Sequence, residues 1–328
     1  MVEICQFGAG QIGKIHAANI AANARSNLRY VVDVDEVAAA ELAVAYGAKV
    51  VATEVALDDA EVDAVLIASS TNTHANLIEA ACEAGKAIFC EKPIDLDIGR
   101  VDDVLMAVEK AGVPMMVGFN RRFDPTFAAL HDAVAAGSVG RVEMVAITSR
   151  DPEPPPIEYV RVSGGLFRDM MIHDFDMARW LLGEEPIEVF AAASNLVDPA
   201  IGEAGDVDTA VVTLKTAGGA LCQIGNSQRA AYGYDQRIEV FGSAGMLRAG
   251  NLTPTAVELT TADGVTTDKP LYFFLERYAA AYRLELDHFL DCLADGRPPR
   301  VGAEDGARAL RLADAAVQSV QSGRPGRV

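Results

Sequence analysis

Gly8-Ala9-Gly10-Gln11-Ile12-Gly13 stands between an apolar run, residues 3–8 (EICQFG), and a helix-like run, KIHAANIAANA. Strand, glycines and helix in that order form the G-x-G-x-x-G turn in its required setting. Gly8 permits the tight turn, Gly10 lets the backbone approach a pyrophosphate, and Gly13 lets helix and strand pack closely. The helix start, at Gln11 and Ile12, is then left to receive negative charge. The next strand pattern, LRYVVDVD, contains Asp33, twenty residues after Gly13. A carboxylate there can accept hydrogen bonds from ribose hydroxyls. Asp35 and Glu36 follow it and no arginine does, so NAD is expected over NADP.

From there strand and helix patterns alternate: AKVVA, DAVLIAS, AIFCEK and VPMMVGF are the strands, with helical runs between them. Short apolar strands separated by helices imply a parallel sheet covered on both faces, a doubly wound α/β domain over residues 1–120. Ligands bind at the C-terminal ends of such strands. Three polar clusters fall there: Ser70-Thr71-Asn72-Thr73-His74, Cys90-Glu91-Lys92-Pro93 and Asn120-Arg121-Arg122. Ser70, Thr71, Asn72, His74, Glu91 and Lys92 join the glycines as expected cofactor contacts. His74 has two readings, one near the nicotinamide and one as a cap or packing group. Lys92 follows a buried-looking run and precedes a proline, which restricts it to extended geometry and aims it into the cleft.

After residue 120 the pattern changes. Several β-like runs (IEVFAAAS, DVDTAVVTLKT, GALCQIGNSQRA, QRIEVFG, AVELTTA) are separated by glycine turns at 218–219 and 242–245. These predict an α+β domain over 121–328 with a mostly antiparallel open sheet. A helix at about 303–322 is expected to pack back on the first domain. Within the second domain, GGLFRDMMIHDFDMARWLLG (164–183) reads as one helix, with Asp169, His173 and Asp176 at i, i+4 and i+7 on one side. A histidine beside carboxylates can be held in one tautomer, ready to take a proton near neutral pH. The plainer reading is an amphipathic helix with a solvated face.

The chain has 328 residues and a formal net charge of −19, which disfavours nucleic acid and anionic membranes as partners. No apolar run is long enough to span a bilayer. The five cysteines are scattered without a C-x-x-C pair, which argues against disulfides and structural zinc and points to the cytoplasm. No metal is expected.

The glycine fingerprint, Glu91-Lys92-Pro93, and Gly164-Gly165 with Asp169 and His173 together resemble the Gfo/Idh/MocA family of NAD(P)-dependent oxidoreductases, over essentially the whole chain. GFNRRFDP, SRDP, FRDMMIHDFDMARWLLG and YGYDQRIEV are similar to the inositol-oxidising members of that family. The resemblance implies hydride transfer to NAD from a ring secondary alcohol of a cyclic polyol, myo-inositol first. Lys92, Asp169 and His173 would act together, with His173 as general base. Substrate contacts are implied at Lys92, Asn120, Arg121, Asp151, Asp169, His173 and Tyr234. A cis Lys92–Pro93 peptide and a homotetramer joined through the second sheet are expected too. One departure bears on substrate choice: Ser149 precedes Arg150 where some inositol-oxidising members carry histidine. The alternatives are a scyllo-inositol or aldose dehydrogenase, or a non-catalytic NAD-binding sensor.

Overall fold

A computed structural model describes residues 1–328, which divide into two compact units: 1–120 with 281–310, and 121–280 with 311–328. The first unit holds strands β1 (Val2–Phe7), β2 (Ser26–Val32), β3 (Lys49–Val50), β4 (Ala64–Ile67), β5 (Ala87–Cys90) and β6 (Met115–Val117). Between them run helices α1 (Gln11–Ala22), α2 (Glu36–Tyr46), α3 (Thr53–Asp58), α4 (Thr71–Glu83) and α5 (Ile98–Ala111). The strands order as β3-β2-β1-β4-β5-β6 and every pairing is parallel. Strand order therefore reverses between β1 and β4, which is where a doubly wound sheet opens its ligand crevice. All four residues of β4 and of β5 are buried, as expected for strands covered on both faces. Asp35 caps α2 by accepting from Val37 and Ala38 N–H, and Asp97 caps α5 in the same way.

The second unit begins with α6 (Pro125–Ala135), whose first turn is closed by Asp124 ahead of Pro125. Then come β7 (Val142–Arg150), α7 (Ile157–Ser163), α8 (Ile172–Leu182), β8 (Pro186–Ser194) and α9 (Pro199–Glu203). Strands β9 (Thr209–Thr216), β10 (Leu221–Ser227), β11 (Asp235–Gly242) and β12 (Gly245–Ala249) follow, then the hairpin β13 (Glu258–Thr261) and β14 (Gly264–Thr267) and the short α10 (Phe274–Arg277). Two long helices, α11 (Ala279–Asp295) and α12 (Ala303–Ser322), and a short β15 (Gly326–Arg327) end the chain. The early part of α12 serves the first unit, where Gly306 lies so close to Ile94 that a Cβ would sit 2.7 Å from its Cδ1. Its later part serves the second, where Ser319 Oγ accepts from Ala191 N–H on β8.

The second sheet orders as β12-β11-β7-β10-β9-β8-β15. It is mixed: β7 and β10 run parallel, whereas the neighbouring pairs on either side are antiparallel. The glycine turns expected at 218–219 and 242–245 lie between β9 and β10 and between β11 and β12. No helix is long and apolar enough to cross a membrane. All five cysteines are buried and free.

Candidate active site

In the first unit the fingerprint turn is dictated by sterics. Gly8 has φ +103°, and a Cβ there would lie 2.4 Å from the Ala68 carbonyl oxygen; a Cβ at Gly13 would lie 2.2 Å from the Gly8 oxygen. At Gly10 the space is open for 4 Å. The start of α1 has no side-chain cap, so its first N–H groups remain for an anion. An NAD pyrophosphate fits such a cradle, with Gly8, Gly10, Gln11, Ile12 and Gly13 around it. Gln6 was not singled out by motif, yet it builds the turn: its buried Nε2 donates to the carbonyls of both Gly8 and Gly13 at 2.8 Å. Asp33 is half-buried at the end of β2. Its Oδ2 accepts from Ala9 N–H at 2.6 Å and its Oδ1 from Asp35 N–H at 2.8 Å. The carboxylate thus clamps the glycine turn to the end of β2.

Ser70 precedes α4, and Thr71 and Asn72 open it, again with no side-chain cap. His74 is buried, with Nδ1 2.8 Å from the Pro93 carbonyl and Nε2 3.0 Å from the Ser69 carbonyl. Burial holds its pKa below the ordinary histidine value. His74 therefore ties two strand ends together as a packing group. The Lys92–Pro93 peptide is cis, as expected. Glu91 is buried, pairs with His16 at 2.7 Å, and accepts from Lys92 N–H at 3.3 Å.

In the second unit, the single helix expected within 164–183 is two segments. Residues Leu166–Met170 form a π-helical turn, closed by Met171 N–H donating to the Leu166 carbonyl at 2.8 Å, and α8 starts at Ile172. The entry explains it. Gly165 takes φ +79°, and Asp206 accepts the Leu166 N–H at 3.0 Å; a Cβ at Gly165 would come 2.5 Å from Asp206 Oδ1. Asp169 stands in this π turn and His173 in the first turn of α8, both half-buried. π turns occur often at functional sites. Tyr159, on α7, donates its hydroxyl to Asp169 Oδ1 at 3.1 Å, a partner that no spacing in the sequence announces.

The solvated-face reading of this helix fails, because α8 is buried nearly all round. Asp174 and Asp176, 0 % and 1 % exposed, are taken up by the two arginines that follow Asn120. Arg121 Nη1 donates to Asp174 Oδ1 at 2.5 Å and to Ser149 Oγ at 3.1 Å, and Asn226 Nδ2 donates to Asp174 Oδ2 at 2.9 Å. Arg122 meets Asp176 through two N–H groups, at 2.8 and 2.5 Å. Asp176, expected on the side of His173, belongs instead to this buried pair. Ser149 is wholly buried and donates to Gln236 Oε1 at 2.7 Å. Tyr234 is buried edge-on to Tyr278, and burial drives its hydroxyl well above the ordinary tyrosine value. Asp151 is half-buried, its N–H donating to the Ser227 carbonyl beyond β7. Asn120 is buried at the last residue of the first unit's opening segment.

Two family models match this chain: "Oxidoreductase family, NAD-binding Rossmann fold" over residues 2–119, and "Oxidoreductase family, C-terminal alpha/beta domain" over residues 131–328. The chain belongs to the Gfo/Idh/MocA oxidoreductase family. Among relatives within it, the inositol 2-dehydrogenase of Rhizobium meliloti is 51% identical over 97% of this chain and 96% of that protein. The solved myo-inositol dehydrogenase of Corynebacterium glutamicum superposes with a TM-score of 0.96 at 44% identity, covering 100% of this chain and 99% of that one. A scyllo-inositol dehydrogenase from Lactobacillus casei, solved with NAD(H) and scyllo-inositol bound, superposes at 0.93 and 28% identity, covering 100% and 99%. As a Gfo/Idh/MocA oxidoreductase, the chain uses its Rossmann unit to bind NAD, in agreement with the open cradle at Gly10.

Proposed function

We propose that this protein is an NAD-dependent inositol 2-dehydrogenase, which oxidises the ring alcohol of myo-inositol to the ketone. The full-length likeness to the Rhizobium enzyme carries the reading. His173 takes the hydroxyl proton as general base, a role worth about 10²- to 10⁴-fold in rate. Asp169 orients that imidazole and stabilises the imidazolium, and Tyr159 holds Asp169. Lys92 hydrogen-bonds the same hydroxyl oxygen and favours the alkoxide that develops. NAD, when bound, supplies the hydride acceptor. Asn120, Asp151 and Tyr234 contact the remaining ring hydroxyls, and Arg121 joins them from a buried position in which Asp174 fixes its guanidinium. The test is a panel of inositols and pyranoses offered with NAD while reduced cofactor is followed by absorbance. Myo-inositol is expected to be the best substrate, and a pyranose preferred over every inositol would overturn the reading.

Asp33 sets the cofactor. Its carboxylate both clamps Ala9 and repels a 2′-phosphate, so the protein is expected to prefer NAD strongly over NADP. Asp33→Ala should narrow that preference mainly by weakening NAD. Equal kcat/KM for both cofactors in the unmutated protein would contradict this.

The mixed second sheet also offers a face for assembly. Met246, Phe241, Met144 and Leu221 lie side by side across β12, β11, β7 and β10, and each is 40–45% exposed. Ile224, on β10 but on the sheet's other face, is fully buried. Such a row is a patch for burial against a copy of the same chain, and we read the protein as a cytoplasmic homotetramer. Light scattering should give four chains for the unmutated protein and a smaller species for a Met144→Lys, Leu221→Lys variant. A monomer at micromolar concentration would contradict it.

A further inference from the structure

Glu285 lies in the middle of α11, fully buried, and neither of its carboxyl oxygens has a hydrogen-bond partner. Its neighbours are Glu91, after β5, and His16, on α1, and one polar atom from each of the three lies within 4.8 Å of the others. His16 Nε2 and Glu91 Oε1 are 2.7 Å apart. The rest of the enclosure is aromatic: Phe89 and Tyr282 stand edge-on to the His16 ring, centroids 5.2 and 5.6 Å away. One imidazolium can balance one carboxylate there. A second negative charge would be buried without compensation and would face a like charge, both of which drive a carboxyl toward its neutral form. Burial first, then Glu91, push Glu285 well above the ordinary carboxyl range.

We propose that Glu285 works as a neutral carboxylic acid beside Glu91, and that the trio His16, Glu91 and Glu285 fixes the strand end from which Lys92 projects. Glu91 makes the link. Its Oε2 accepts from Lys92 N–H at 3.3 Å, and its carboxyl carbon is 3.0 Å from where a Cβ on Gly118 would stand, so it is wedged between the ends of β5 and β6. Glu285 and His16 are positioning residues that act through Glu91. This role rests on the assignment of Lys92 to the reaction; the protonation of Glu285 does not.

The test compares the unmutated protein with Glu285→Gln and Glu285→Ala, by kinetics and by thermal midpoint against pH. Gln copies the neutral acid and should keep turnover within a few-fold. Ala removes the support and should lower kcat roughly ten- to a hundredfold, with KM for NAD little changed. The titratable groups facing Glu285 are Glu91 and His16, and Tyr282 on its own helix stands against the His16 ring. A carboxyl whose folded pKa is raised contributes stability that is complete below its ordinary value, about 4.3, and is lost as pH rises through the folded value. The midpoint of Glu285→Gln minus that of the unmutated protein should therefore climb as pH rises above the ordinary carboxyl range. A flat difference, or a Gln variant as slow as the Ala variant, would overturn the neutral acid. So would one equivalent of a divalent metal found in the purified protein by elemental analysis. Unimpaired kcat in Glu285→Ala would overturn the positioning role. Should Lys92→Ala turn over normally, the assignment of Lys92 fails, and the midpoint difference still tests the proton by itself.

Discussion

His173→Ala is expected to lower kcat by about 10²- to 10⁴-fold while the dissociation constant for NAD stays near that of the unmutated protein. The two effects separate because the glycine cradle and Asp33 belong to the first unit and His173 to the second. Asp169→Asn should also lose rate: it can still hold the ring but cannot stabilise the imidazolium. The double variant should lose much less than the product of the single losses, since residues that act as a unit are strongly non-additive. Single-turnover reduction of NAD, followed as pH is raised through the histidine range, measures this. In the unmutated protein the rate should rise as the imidazole loses its proton; in His173→Ala that rise should vanish. A near-normal rate with an unchanged pH profile would remove His173 from the chemistry.

Asp176→Ala should be strongly destabilising. It removes the two hydrogen bonds that the Asp176 carboxylate accepts from Arg122, whose side chain is 6% exposed, and takes a negative charge away from a buried guanidinium. Breaking a buried pair from one side costs about 3–5 kcal/mol. Arg179, with Nη1 3.6 Å from the same carboxylate, loses a neighbour as well. By contrast, Glu304→Ala removes a pair on α12 whose members are 54% and 44% exposed, which solvent and salt screen to within about 1 kcal/mol. Urea denaturation of the two variants side by side should show a large loss of midpoint for Asp176→Ala and almost none for Glu304→Ala. Equal, small shifts would mean that Arg122 finds other partners.

The parts of this molecule that sterics decide were legible from residues alone. Gly8 and Gly13 have no room for a Cβ, so their spacing in a strand–turn–helix setting leads to the Rossmann unit and its cofactor. The caps Asp35, Asp97 and Asp124 are local as well. What stayed hidden depends on partners far along the chain. The π turn under Asp169 follows from Asp206 taking the Leu166 N–H, forty residues away, whereas the local pattern continues as an ordinary helix. Asp174 and Asp176 look like a polar face until Arg121 and Arg122, more than fifty residues earlier, are brought against them. The adjacent arginines and the Asp-Phe-Asp triplet were the available signal: two positive charges one residue apart and two negative ones two residues apart. The parallel pairing of β7 with β10 left no such mark, because strand periodicity is the same in either direction. Glu285 stands between Leu284 and Leu286 with nothing local to mark it, and its burial is set by elements far along the chain that bring His16 and Glu91 to it.

The most direct measurement follows the atom that moves. Myo-inositol deuterated at the oxidised ring carbon, incubated with the protein and NAD, should yield reduced cofactor carrying the deuterium, together with the inositol ketone. Single-turnover reduction should be slower with the deuterated substrate than with the ordinary one. The same label should fail to transfer in His173→Ala over times in which the unmutated protein completes many turnovers. Reduced cofactor without deuterium, or no reduction with any inositol at saturating NAD, would contradict hydride transfer from the ring carbon.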